Sequence, residues 1–381
     1  MMAYNISFSW RNPVMWLLGA LLLGLAGCAQ VGEEVQVTKR VLVYPGPPDE
    51  PVFTHERTIR SNADVEPEKE DSKLKAMLTG EGPSASGMHK PYGVAVHRGR
   101  IFVSDTYARN VKVFDVPEGK FFTIGDSDKL ADKQRLVKPI GLATDEQGNL
   151  YCADATQKFI MVYDRDGNFL RKFGGPDMFA RLSSVTVDKK GERAYAVDIG
   201  GSVVKNEYHR VTVFNAKTGE KLFDFGTRGS GHGEFNLPRS VAVGKDRLYV
   251  VDSGNFRIQI FDLEGKFIKS FGEAGKQLGN FARPKEAEID ANGNLYVIDS
   301  AFGNFQIFDA EGQLLLFVGE RSEEDGPGRF KLPSGITVDE DGRIYVVDQL
   351  FRKVEVFRPF KLPENAGYLV KKEVVQPGGK K

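Results

Sequence analysis

The sequence predicts an all-β protein, a six-bladed β-propeller, and three observations predict it. One stretch recurs six times: IFVSDTYARNVKVFD (101–115), LYCADATQKFIMVYD (150–164), AYAVDIGGSVVKNEYHRVTVFN (194–215), LYVVDSGNFRIQIFD (248–262), LYVIDSAFGNFQIFD (295–309) and IYVVDQLFRKVEVF (344–357). Its aspartates, Asp105, Asp154, Asp198, Asp252, Asp299 and Asp348, are 44 to 54 residues apart, a spacing that suits one propeller blade per copy. Within each copy the residues alternate apolar and polar, as in Ile258-Gln259-Ile260-Phe261 and Val354-Glu355-Val356-Phe357, which is the period of a strand. Between strands stand DEQGN, DANGN, DEDGR, DRDG, DLEG and DAEG, whose Asp and Gly residues suit tight hairpin turns. Each unit thus holds about four strands, and radial closure leaves few exposed strand edges.

The elements follow in order. Residues 1–27 read as a signal peptide: Arg11 is the only charge before residue 28, and residues 14–27 are apolar but too short to span a bilayer comfortably. The run ends in Leu25-Ala26-Gly27-Cys28, which resembles the lipobox of bacterial lipoproteins. That resemblance implies cleavage before Cys28 and an acylated Cys28 as mature N-terminus, anchored to a membrane without spanning it. Ala29 rather than Asp follows, which in such proteins favours the outer membrane. Residues 28–50 are expected to be a flexible tether. The propeller is expected over 51–361, with a charged linker at about 61–87 that includes NADVEPEKEDSK and one or two helical turns in LKAMLTG. The sixth copy reaches RPFKLPEN where a fourth strand is due, so PVFTHERTIR (51–60) is predicted to complete the last blade, with AGYLVKKEV as its rival. Residues 362–381 are the expected tail.

The pattern Pro-x-Gly-Val-Ala-Val, then x-Tyr-Val-x-Asp, then Arg-Ile-Gln-Val-Phe-Asp resembles the NHL repeat over roughly residues 88–357. With the lipobox and the proline-rich YPGPPDEP, the chain looks like the bacterial NHL-repeat lipoproteins. The resemblance implies a six-bladed propeller in the bacterial cell envelope. It also keeps open an enzyme class, since NHL-like propellers include metal-dependent lyases and lactonase-like hydrolases.

Composition narrows the functions. Lys+Arg and Asp+Glu are both 52, so no global field draws nucleic acid. The two cysteines, Cys28 and Cys152, make neither a disulfide framework nor a metal cluster, and Cys152 reads as a buried inert thiol. Six aspartates in one slot cannot all be catalytic, so they read as hairpin fastenings. In four copies a cation follows within five residues and is expected to pair with the aspartate: Arg109, Lys158, Arg257 and Arg352.

Function is expected where copies disagree. The third unit inserts IGGSVVKNEYH, a candidate face loop with Tyr208 and His209 at its end. The fifth unit places Glu286 and Glu288 where others carry small residues; at i and i+2 they share one face of the innermost strand. Two such carboxylates could bind a hard cation such as Ca²⁺, or one could hold a raised pKa. The bland alternative, favoured on sequence, is pairing with Lys285, Arg283 or Arg239. Lys90, Lys138, Arg181, Arg239, Arg283 and Lys285 are expected around one mouth of the channel, where a cationic funnel would focus an anion. Among five histidines, His209 and His232 of adjacent units form the one pair worth testing as a metal site. The resulting expectation is a monomeric, lipid-anchored scaffold that binds a protein partner in the envelope, or another ligand, and no nucleic acid. The alternative is a cation-dependent hydrolase or lyase using Glu286 with Glu288, or His209 with His232.

Overall fold

The alternating apolar residues pair into strands as the periodicity requires. The computed structural model describes residues 41–67, 85–126, 130–201 and 208–370. Cys28 and the signal segment, the LKAMLTG stretch, residues 202–207 of the inserted loop and the end of the tail lie outside them. Six antiparallel sheets form, and the described residues contain only short 3-10 turns besides strands. The first blade is Pro91–His97, Arg100–Asp105, Asn110–Asp115 and Lys120–Ile124. The fifth, in the same order from axis to rim, is Pro284–Ile289, Leu295–Asp299, Asn304–Phe308 and Leu314–Val318. Each innermost strand packs beside the next, and Pro333–Val338 of the sixth blade returns to Pro91–His97.

Closure follows the sequence expectation: Phe53–Ile59 pairs antiparallel with Lys353–Pro359 as the sixth blade's fourth strand. The N-terminal segment goes further than expected, because Val43–Tyr44 adds a fifth strand, so the sheet reaches into the predicted tether. Glu355 accepts a hydrogen bond from Thr58 Oγ1 at 3.0 Å and pairs with His55, fastening the last blade to the returning N-terminal strand. Leu369 is buried against the first and last blades, so the C-terminal segment begins as part of the core.

Apolar residues of neighbouring blades fill the junctions, for example Val197, Phe214, Phe235 and Leu248. Cys152 is fully buried there, and burial pushes its thiol up.

The six repeated aspartates are fully buried fastenings. Asp154 accepts main-chain N–H groups of Val137 at 2.6 Å and Lys138 at 3.0 Å from the strand-entry loop, and of Thr156 at 3.0 Å and Gln157 at 2.8 Å from the hairpin. Asp348 does the same with Lys331, Leu332, Leu350 and Phe351. One carboxylate thus ties the loop entering a blade to the turn beside it. The expected cation partners are a correction. Arg109, Lys158 and Arg352 occupy the left-handed turn position, with φ of 59°, 60° and 53°. Their aspartates take main-chain donors instead. Only Arg257 makes the ion pair, its Nε 2.9 Å from Asp252, because it lies one residue further on while Phe256 takes the left-handed position at φ 55°.

Candidate functional site: the channel mouth

The site is built on a slip in the strands. Near the start of every innermost strand the pairing register shifts, as between Pro284 and Ala287 and between Pro238 and Val241. A bulge re-aims side chains. Here the second and third strand residues, Arg239-Ser240 and Lys285-Glu286, line the axial channel beside Tyr92, Ser183 and Ser334. The blades approach so closely that a Cβ on Gly93 would lie 2.4 Å from the Ile140 oxygen, and one on Gly335 2.7 Å from the Tyr92 oxygen. The void left between them is about 10 Å³, room for one water.

Glu286 lines this void, and Glu288 lies two residues further along the same strand; both are half-buried. Burial pushes the Glu286 carboxyl well up, the Glu288 charge adds to this, and Lys285 opposes it. Burial raises Glu288 to about 7, against the Ile289 N–H, which it accepts at 3.0 Å, and the charge of Lys189. Burial lowers Lys285 to about 8, helped by the charges of Arg283 and Arg239. Burial, reinforced by the Glu288 charge, thus favours the protonated form of Glu286.

The favoured sequence reading, pairing of these carboxylates with Lys285, Arg283 or Arg239, is not met. None of the ion pairs within 4 Å among the described residues involves them. Lys285 Nζ instead donates to the Pro333 oxygen at 3.4 Å. Desolvation favours a neutral acid over a buried ion pair here.

Around the mouth, Lys90, Lys138, Arg181 and Arg283 are exposed at the strand entries. The hairpins on this face expose Tyr107, Leu350 and Tyr208 beside them. Tyr208 lies under the Arg210 guanidinium at 4.7 Å. His209 is buried, and its Nδ1–H donates to the Phe235 oxygen at 2.9 Å. His232 stacks on Phe267 with ring centroids 4.5 Å apart. The two histidines thus have separate contacts, His209 with a main-chain oxygen and His232 with a ring. Among the described residues no three His, Cys, Asp or Glu side chains converge on a metal position. Ca²⁺ asks for six to eight oxygens. Glu286 shares its void with Lys285 and Arg239 while Glu288 does not line it, so the two carboxylates do not make such a shell.

Sequence comparison of the copies passed over Tyr92. Its signal was present at the second strand position, where Tyr92, Arg239 and Lys285 stand against Ile140, Ser183 and Ser334.

Residues 238–316, the fourth blade and nearly all of the fifth, match the DUF5128 family, described as a 6-bladed beta-propeller. The chain is a six-bladed β-propeller with distant NHL-repeat relatives. It is 41% identical over 69 residues to Protein brain tumor of Drosophila melanogaster, a match spanning 18% of this chain and 7% of that protein. It is 34% identical over 100 residues to NHL repeat-containing protein 2 of Gallus gallus, covering 24% and 13% respectively. The matches thus span only a small part of these relatives' length. Among solved structures it is similar to a gluconolactonase of Xanthomonas campestris, with a TM-score of 0.53 and 16% identity over 80% of this chain and 98% of the other. It is also similar to a streptogramin B lyase, with a TM-score of 0.52 and 12% identity over 71% and 94%. At such identities the likeness is one of fold.

Proposed function

We propose that this chain is a binding propeller whose channel mouth receives an anionic group of a protein partner. The observation that carries the reading is the pair Arg239 and Lys285. Both are half-buried, neither has an ion-pair partner among the described residues, and burial pushes the adjacent Glu286 carboxyl up, away from its charged form. Partly desolvated charge left uncompensated favours an incoming anion. The exposed cations Lys90 and Lys138 would steer it, and Tyr107, Tyr208 and Leu350 supply apolar contact of the kind a protein surface meets. Anchorage through acylated Cys28 to the bacterial outer membrane belongs to the same proposal and rests on Leu25-Ala26-Gly27-Cys28.

A hydrolase centred on Glu286 and Glu288 is less well supported, because among the described residues no third His, Cys, Asp or Glu joins them to hold a cation. Titrating the full chain with a hexaglutamate peptide tests the binding reading. Lys285→Gln with Arg239→Gln is expected to weaken binding about tenfold or more, as loss of a charge-assisted contact does. Equal affinity in that variant would sink it. Ca²⁺ is expected to leave the melting temperature unchanged. Cys28→Ser is expected to move the chain from the membrane to the soluble fraction.

A further inference from the structure

A cavity of about 540 Å³ lies on the opposite face, at the junction of blades two and three. That is within the range of small-molecule sites. The repeats explain why it opens there. In the first blade Arg100, at the head of the second strand, reaches the next blade's outer hairpin, donating to the Arg165 oxygen and to Asp166 at 3.2 Å. In the third blade Arg193 does the same, to the Leu263 oxygen at 3.2 Å and to Glu264 at 3.3 Å. The second blade has Asn149 in that slot. Its short amide turns back to Asp145 at 2.9 Å, and the strut is missing.

The corresponding carbonyl, that of Ala216, is met instead by Arg171 of the outermost strand, with Nε at 2.9 Å and Nη2 at 2.6 Å. Nη2 also donates to the Tyr151 hydroxyl at 3.1 Å, which leaves Nη1 without a protein acceptor among the described residues. The space vacated by the strut becomes a cleft with Arg171 in its wall. The fifth blade also has asparagine in the slot, Asn294, but there Leu316, in the position of Arg171, packs against the apolar cluster between blades five and six.

Lys190 and Lys217 stand exposed on one side of the cleft and make no ion pair among the described residues; Glu146, Gln147 and Glu192 add acceptors and donors. Asp145 is engaged with its own turn and with Asn149. The lining is mostly polar, which disfavours an apolar ligand. We propose that this cleft binds an acidic saccharide: its carboxylate meets Arg171, Lys190 and Lys217, and its hydroxyls meet Glu146, Gln147 and Glu192. Arg171 is the anchor, since its remaining Nη1 offers charge-assisted N–H donors to a carboxylate.

The test is calorimetric titration of the full chain with trigalacturonate, with galactotriose as the neutral control. Binding of the acidic trimer alone is expected. Lys190→Ala with Lys217→Ala is expected to weaken it about tenfold, and Arg171→Gln to weaken it further. Lys285→Gln at the opposite mouth is expected to change nothing, which separates this site from the one under Proposed function. No binding, equal binding of galactotriose, or sensitivity to Lys285→Gln would each overturn the proposal. Should Arg171→Gln fail to fold by circular dichroism, the exposed double-lysine variant still decides it.

Discussion

Asp299 and Glu288 lie in the same blade, both carboxylates enclosed by protein, yet the fold treats them oppositely. Asp299 receives main-chain N–H groups from Ala282 at 2.7 Å, Arg283 at 2.9 Å, Ala301 at 2.9 Å and Phe302 at 3.2 Å. Glu288 has the Ile289 N–H at 3.0 Å and is raised to about 7. The difference teaches that burial alone does not set a carboxylate's role: the number of N–H groups aimed at it does. Four blades carry the first arrangement in full, at Asp105, Asp154, Asp299 and Asp348, and Asp198 has three such N–H groups.

The largest effect should come from removing the satisfied acid. Asp299→Ala leaves four N–H groups without an acceptor and should cost on the order of 4 kcal/mol in urea unfolding. A loss below about 1 kcal/mol would mean the fastening is not structural. The unsatisfied acid should behave in reverse. An unfolded Glu288 loses its proton near 4.5, while the folded one keeps it until about 7, so the folded state binds more protons between these values. Stability therefore falls as pH rises through that window. Glu288→Gln should remove this fall, stabilising the fold at pH 8 by up to about 3 kcal/mol and by nearly nothing at pH 4. Thermal melts at the two pH values check this, and equal gains at both would break the comparison.

Asp252 is the intermediate case. Its donors include the Asn236 N–H and three side chains, those of Asn255, Arg257 and Gln259. Arg257→Gln should cost about 1–2 kcal/mol, since the guanidinium also holds the Gly231 and Glu234 oxygens. The smallest effect separates pairing from turn geometry. Arg109 sits at φ 59°, so Arg109→Gly should stabilise by about 0.5–1 kcal/mol. Destabilisation on that change would restore the ion-pair reading.

Much of this was legible in the residues. The aspartates revealed their role by recurrence, and the missing fourth strand of the sixth copy pointed to the N-terminal segment. Arg109, Lys158 and Arg352 were misread as partners of the aspartates because sequence spacing does not reveal backbone handedness. Asn149 and Arg171 went unnoticed because their meaning depends on which neighbouring blade each side chain reaches.

By itself the sequence determined the repeat, the strands and turns, and the position of two acids on one inward face, because these follow from period-two alternation and local turn chemistry. Only the tertiary structure decided that Glu286 stands unpaired beside Lys285 and Arg239, and that a cleft opens where Asn149 replaces an arginine. Those outcomes depend on how closely six blades meet at an axis and at each junction, and side-chain reach across such gaps is not a property of any local segment.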